Sequence, residues 1–539
     1  MCESELTYPS DKKLGELQLD TLKITEGPDY EPKKAALPET RLHILDVIRE
    51  WIYGDVSHTQ AFLLLGKAGV GKSAIAHRVV QEAMQLGRLG AFFCFSAGIG
   101  PENFFRTIAR RLADLEPSYA AALMENMDST LKTTPSMTRQ LQDLLVKPFE
   151  TLNALGPIII VVDALDECAA QRDELIHCLH DNISLFPKNI RFIITSRPTE
   201  AGFLQICPWV CSRNLEIDES TNSDIYKFTQ SRLIHPITKQ LLPAFGKPQF
   251  DDIVTAAEGL FQYAAVVCRE ITDAEKHRKE TPLDVHARLV KTGSQGLDAL
   301  YLNILNSAVP VSDSSQLEGF HRVMGWILHA QEHLSRKILQ DFESVWSRPE
   351  TSTQTASSPD SGNYGLVASI LHPLGALLSG TEGGETLVFP LHSSFRDFLL
   401  EKSRSNNFCI GTASTYHVSL ATICLKIMDR DLHFNMASLD DSYVFNADVP
   451  DFDDRVKSGI SPALLYACLH WAKHIQNSDV LVVEFTEIQL VCNLIENLFL
   501  FWCEVLALKK QTDEAEKSLL MIGRWNQVKL LFKSCMLIN

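Results

Sequence analysis

Ala61-Phe62-Leu63-Leu64-Leu65-Gly66-Lys67-Ala68-Gly69-Val70-Gly71-Lys72-Ser73-Ala74 is the stretch on which the fold turns. Five apolar residues in a row make a strand buried on both faces, and the run after them fits G-x-x-x-x-G-K-[ST]. Glycines at 66, 69 and 71 let successive backbone N–H groups curl around phosphate oxygens. The helix predicted over 74–84 adds the positive end of its dipole. Lys67, Ala68, Val70 and Ala74 complete the cradle, Lys72 reaches the outer phosphates, and Ser73 holds a magnesium ion. The strand before and the helix after supply the context that a chance match lacks. A nucleoside triphosphate is the expected ligand.

Outward from this loop, strands and helices alternate. Leu42, Leu45, Ile48 and Ile52 recur at helical spacing, with Thr40 placed as the N-cap. Strands are predicted over 89–96, 157–162, 191–195 and 213–217. Helices are predicted over 103–115 and around Leu175, Cys178 and Leu179. Such alternation predicts an α/β domain, a parallel sheet with helices on both faces. After about Asp218 strands become scarce. Helices are expected over 225–233, 253–271, 297–309, 320–330, 336–346 and 366–378, then a hairpin through 387–391. Three helices followed by a small hairpin suit a winged-helix fold. Residues from about 415 onward read as helical without a repeat period. Residues 1–38 read as a loosely ordered tail, and 347–362, rich in Ser, Thr and Pro, as a flexible loop.

A length of 539 residues exceeds what one core can organise, so about three or four domains are expected. The formal net charge of -17 argues against a general binder of nucleic acid or anionic membranes. Thirteen cysteines lack a framework spacing and follow no secretory segment, which predicts reduced thiols and a cytoplasmic protein. Cys207 and Cys211 have no answering pair for a zinc site, and His177, Cys178 and His180 read as the mixed faces of one helix. The apolar stretch 494–508 is interrupted by Glu496 and Glu504, which reads as a buried helix rather than a membrane span. His329-Ala330-Gln331-Glu332-His333 fits the inverted zinc-peptidase pattern H-x-x-E-H. That chemistry needs both histidines on one continuous helix, and Leu334-Ser335 reads as a turn that ends the helix near Glu332.

Two further constellations carry chemistry. Ile158-Ile159-Ile160-Val161-Val162 is a buried strand that delivers Asp163 to the carboxyl edge of the sheet, where it orients magnesium through water. Asp166 and Glu167 follow within reach of a terminal phosphate, placed to position or deprotonate an attacking water. Three carboxylates so close together repel one another unless a cation joins them. Phe192-Ile193-Ile194-Thr195-Ser196-Arg197-Pro198 ends a second buried strand in a cation that suits a γ-phosphate sensor.

The order of Gly66–Ser73, Asp163–Glu167 and Thr195–Pro198 resembles the NACHT branch of the STAND signalling ATPases, whose hallmark is an acidic cluster after the Walker B strand. Leu37-Pro38-Glu39-Thr40-Arg41 and Ala257-Glu258-Gly259-Leu260-Phe261-Gln262-Tyr263-Ala264 extend the likeness. So do Leu297-Asp298-Ala299-Leu300-Tyr301 and His392-Ser393-Ser394-Phe395-Arg396-Asp397-Phe398-Leu399. Together they are similar to fungal NACHT proteins that often carry C-terminal WD repeats, over about residues 37–510. The resemblance implies a NACHT P-loop NTPase domain at 39–220, a helical domain at 221–310, a winged-helix domain at 311–405 and a helical C-terminal region at 406–539. It implies ATP or ADP with Mg2+, Thr40 and Arg41 beside the adenine, and His392 against the β-phosphate of ADP. Relatives in the wider class place a proline near 260–263 to contact the base, and this sequence has none there. WD repeats and an N-terminal effector domain are not encoded in these residues, as in a reduced member of the group or a fragment.

The expected function is a signalling switch with slow ATP hydrolysis, in a fungal NOD-like defence or incompatibility pathway. Nucleotide exchange would control domain opening and self-association, with a protein trigger and an effector as partners. The alternatives are a nucleotide-stabilised scaffold and a P-loop metabolite kinase.

Overall fold

The computed structural model describes residues 22, 30–54, 59–96, 100–127, 136–150, 156–168, 171–234, 245–277, 280–291, 296–347, 365–440, 443–478 and 485–536. Most of the expected tail at 1–38 and of the expected loop at 347–362 lies outside these residues. The chain forms two compact units, Met1–Thr272 with Glu280–Leu297 and Asp273–Lys279 with Asp298–Asn539.

The first unit is built on a five-stranded parallel sheet, β1 (Ala61–Leu65), β2 (Leu89–Cys94), β3 (Ile158–Asp163), β4 (Ile190–Ser196) and β5 (Val210–Asn214), in the order β2-β3-β4-β1-β5. Alternate residues of each strand leave on opposite faces. Leu63, Leu65, Ile160, Val162 and Ile194 pack on one side with Phe104, Phe105, Ile108 and Leu112 of the helix Phe104–Leu115. Phe62, Leu64, Ile159, Val161 and Ile193 pack on the other with Leu45, Ile48 and Trp51 of the helix Leu42–Tyr53, and with Ile75, Val79 and Val80 of the helix Lys72–Gln85. Burying each such Leu, Ile or Phe contributes about 1.5–3 kcal/mol. A strand covered on both faces has no polar side to alternate with, which is why β1 and β3 read as unbroken apolar runs.

Several local expectations are corrected. Arg41, not Thr40, is the N-cap of Leu42–Tyr53, in the left-handed region at φ +57°, while the Thr40 hydroxyl donates to the Leu37 carbonyl at 2.9 Å. The last strand is Val210–Asn214, three residues before the expected 213–217. The helix expected over 253–271 is two helices, Lys247–Ala257 and Phe261–His277. Glu258 and Gly259 break it, both left-handed at φ +49° and +82°, and a Cβ on Gly259 would lie 2.2 Å from Ile217 Cγ2. Only glycine fits that close approach.

In the second unit, the helices Ser314–His329, Arg336–Trp346 and Leu366–Leu371 accompany an antiparallel sheet of β6 (Leu334–Ser335), β7 (Leu378–Ser379) and β8 (Leu387–Pro390), in the order β6-β8-β7. The third helix stops well short of the expected residue 378, because the chain tightens into a 3-10 turn over His372–Leu374 at Pro373. A helical array follows, led by the packed pair Ala413–Asp431 and Pro462–Asn477. The decoy H-x-x-E-H is not on one helix. Its helix ends at His329, three residues earlier than expected, and His333 stacks on Phe389 of β8. His329 stacks on Tyr416, and burial, reinforced by His417 and Arg396, pushes its pKa down to about 4.

The stretch expected to be a buried helix is buried along one face only. Glu487–Leu508 runs as one helical stretch of 22 residues, long and apolar enough to cross a membrane, and 22% of its most apolar 18-residue window, whose mean hydropathy is 1.6, is buried. Leu494, Trp502, Val505 and Leu506 face the unit, whereas Ile495 and Leu500 are exposed. A run of apolar residues around a whole helix says nothing about which face is covered.

Gly325 is the contact point between Ser314–His329 and Ala413–Asp431, since a Cβ there would sit 2.0 Å from Tyr416 Cε1. In a free helix Gly→Ala gains about 1 kcal/mol. Here overpacking opposes it by about 1–3 kcal/mol or more, and at this separation the clash wins. Gly325→Ala should therefore lower the melting temperature. A higher one would contradict the packing described.

Candidate nucleotide site

The loop after β1 has the backbone that its glycines permit. Gly69 and Gly71 are left-handed at φ +83° and +99°, and Gly71 caps the helix that Lys72 opens. A Cβ on Gly69 would lie 2.9 Å from Gln262 Cβ, and the Gly69 carbonyl accepts a hydrogen bond from the Gln262 N–H at 3.1 Å. The Phe261 ring lies over Gly71. The start of the helix Phe261–His277 is thus fastened to the loop, through the segment that resembles the NACHT motif at 257–264. Ser73 is exposed on the first helical turn.

Arg41 binds the loop from the other side. Its guanidinium donates to the Val70 carbonyl at 2.9 Å and to Thr221 Oγ1 at 3.1 Å, and sits 4.9 Å from the centre of the Phe261 ring. Its backbone N–H donates to Asp224 Oδ2 at 2.9 Å. Burial draws its pKa down, against the pull of Asp224 and Asp218. Thr40 and Arg41 are both buried. Arg41 therefore braces the loop against the helices Glu219–Arg232 and Phe261–His277, a role its sequence context did not announce.

The parallel register brings the strand ends level, with Leu65 opposite Ser196, Val162 opposite Ile194 and Cys94 opposite Asp163. Ligands of open α/β sheets bind outside the carboxyl ends of the strands. Asp163, 1% exposed, ends β3, and its Oδ1 accepts from Thr195 Oγ1 at 2.5 Å. Cys94 Sγ lies 3.8 Å from its Oδ2, and burial, then the charges of Asp163 and Glu167, hold that thiol protonated. Ala164 turns the chain at φ +57°, donates its N–H to Thr195 Oγ1 at 2.9 Å and accepts from the Glu167 N–H at 2.8 Å. Asp166 is held on both oxygens by Arg197, Nε to Oδ2 at 2.8 Å and the backbone N–H to Oδ1 at 3.2 Å. Burial pushes the Asp166 pKa up, opposed by Lys72 and Arg197.

Lys72 Nζ donates to the Gly66 carbonyl at 2.8 Å and to the Lys67 carbonyl at 3.1 Å. Burial depresses its pKa, while Asp166, Asp163 and Glu167 pull it up and Arg197 pushes it down. Lysine, three carboxylates and arginine thus share one sheet edge. Among the described residues no three His, Cys, Asp or Glu side chains form a metal cage of their own.

His392 lies in the second unit, as N-cap of the helix Ser393–Leu400. Its Nδ1 accepts from the Ser394 N–H at 3.1 Å and lies 2.7 Å from Ser394 Oγ, which in turn lies 2.8 Å from Tyr301 Oη. Tyr301 also packs on Phe395 and Phe398, so the motifs at 297–301 and 392–399 form one cluster.

A family model described as Nephrocystin 3, N-terminal, matches residues 42–197. Over that span the chain is similar to a NACHT-like region. The match begins with the helix Leu42–Tyr53 and closes at Arg197, so it takes in the loop and the acidic strand end. A search of curated proteins returns no match.

Proposed function

We propose that this chain is an ATP/ADP-operated switch of the NACHT kind, with slow hydrolysis that resets it. The observation that carries the reading is the gathering of Lys72, Asp163, Asp166, Glu167 and Arg197 at the carboxyl edge of β1, β3 and β4. Lys72 Nζ exchanges the carbonyls of Gly66 and Lys67 for the outer phosphate oxygens, and the loop N–H groups close around the inner ones. Asp163 and Ser73 would hold magnesium, which when bound neutralises charge on the phosphates. Asp166 is committed to Arg197 on both oxygens, so Glu167 is assigned the proton of the attacking water. Arg197, anchored to Asp166 through Nε and its backbone N–H, would turn the rest of its guanidinium to a γ-phosphate when one is present, which makes it sensitive to the state of the nucleotide.

In this reading the helices and sheet of 314–390 form a winged helix, and His392 answers the β-phosphate of ADP in the resting form, as the resemblance implies. Moving a resting population from about 1:99 to 99:1 requires ATP to favour the active form by about 5.5 kcal/mol. Self-association in the active form, a cytoplasmic setting and a fungal NOD-like pathway complete the proposal. A calorimetric titration of the purified chain with ATP in the presence of Mg2+ tests it. Saturable binding at one site per chain is expected, and no heat of binding at any concentration would defeat the reading.

A further inference from the structure

Thr195 does more at this edge than fill the end of β4. Its side chain is fully buried, and its hydroxyl oxygen accepts from the Ala164 N–H at 2.9 Å. With that lone pair taken, the hydroxyl proton points at Asp163 Oδ1, 2.5 Å away. A threonine hydroxyl has one proton to give, so its direction is set. The same bond holds Ala164 in its left-handed turn at φ +57°, which costs an ordinary residue about 1–3 kcal/mol. That turn carries the chain from Asp163 to Asp166 and Glu167, and Arg197, two residues beyond Thr195, fixes Asp166. One strand end thereby sets the places of the acids opposite the phosphate loop.

We infer that Thr195 is the positioning residue for the magnesium-orienting carboxylate: its bond to Oδ1, with the Cys94 thiol 3.8 Å from Oδ2, holds Asp163 in one orientation at the strand end that meets the metal–nucleotide pair. This inference rests on the proposed nucleotide site. Hydrogen-bond partners of ligating groups typically carry about 10–100-fold in metal affinity. Losing the Thr195 hydroxyl should therefore weaken the hold on magnesium and leave the loop's grip on the nucleotide itself intact.

The test is equilibrium binding of a fluorescent ATP analogue by the full chain, with and without Mg2+, across a magnesium titration. Thr195→Val and Thr195→Ala remove the hydroxyl, and Thr195→Ser keeps it. The half-saturating magnesium concentration should rise at least tenfold in Val and Ala and stay within about twofold of the parent in Ser. Affinity for the metal-free analogue should be the same in all four proteins. Circular dichroism melts show which variants are folded, and Ala, being smaller, serves if Val is not. A folded Val or Ala variant with the parent's magnesium requirement overturns the inference, and so does a Ser variant as impaired as Val. If the parent chain binds no analogue, the nucleotide reading itself has failed.

Discussion

Lys72→Ala should reduce ATP affinity by about 30- to 3,000-fold. The ammonium lies over the loop, bonded to the Gly66 and Lys67 carbonyls. When phosphate arrives, two neutral acceptors are exchanged for charged ones. Hydrogen bonds to charged groups contribute about 1.5–3 kcal/mol each, so losing one or two removes about 2–5 kcal/mol. At 1.4 kcal/mol per tenfold, that is a loss of about 30- to 3,000-fold. Lys72 is the first residue of its helix and only partly buried, so folding should survive, as a melting curve would show. Unchanged ATP affinity in a folded Lys72→Ala protein would remove the site from this loop.

Glu167→Gln should separate binding from turnover. The substitution keeps the size of the side chain and removes the base. Asp166 cannot readily replace it while Arg197 occupies both of its oxygens. General-base catalysis supplies about 100- to 10,000-fold, so single-turnover hydrolysis should fall by about that factor. ATP affinity should stay within about threefold of the parent, because Lys72, Asp163 and the loop are untouched. Equal hydrolysis rates in the two proteins would reassign the base. A collapse of ATP affinity would mean that Glu167 serves the metal instead.

The sheet was legible because β1 and β3 up to Val162 are unbroken apolar runs and β4 carries Phe192-Ile193-Ile194 at its centre, a pattern that burial on both faces produces. Its neighbours were harder. Val210–Asn214 is an edge strand only partly buried, so its Cys, Ser, Arg and Asn gave no periodic signal and the boundary slipped. The break at Glu258–Gly259 is dictated by Ile217, which is distant in sequence. In the site, loop and acids were readable because their chemistry restricts residue type. Thr195 stood in a quoted motif, yet its meaning depends on the Ala164 N–H and Asp163 Oδ1, which only the register of β3 and β4 brings to it. The ties of Arg41 to Val70, Thr221 and Phe261 join segments far apart in the chain, so its sequence context did not announce them.

Light scattering of the purified chain, saturated first with ADP and then with ATP and Mg2+, tests the switch most directly. The account predicts a compact resting species with ADP and a larger hydrodynamic size or mass with ATP. Identical profiles in the two nucleotides, with both demonstrably bound, would contradict it and leave a scaffold that uses nucleotide only for stability.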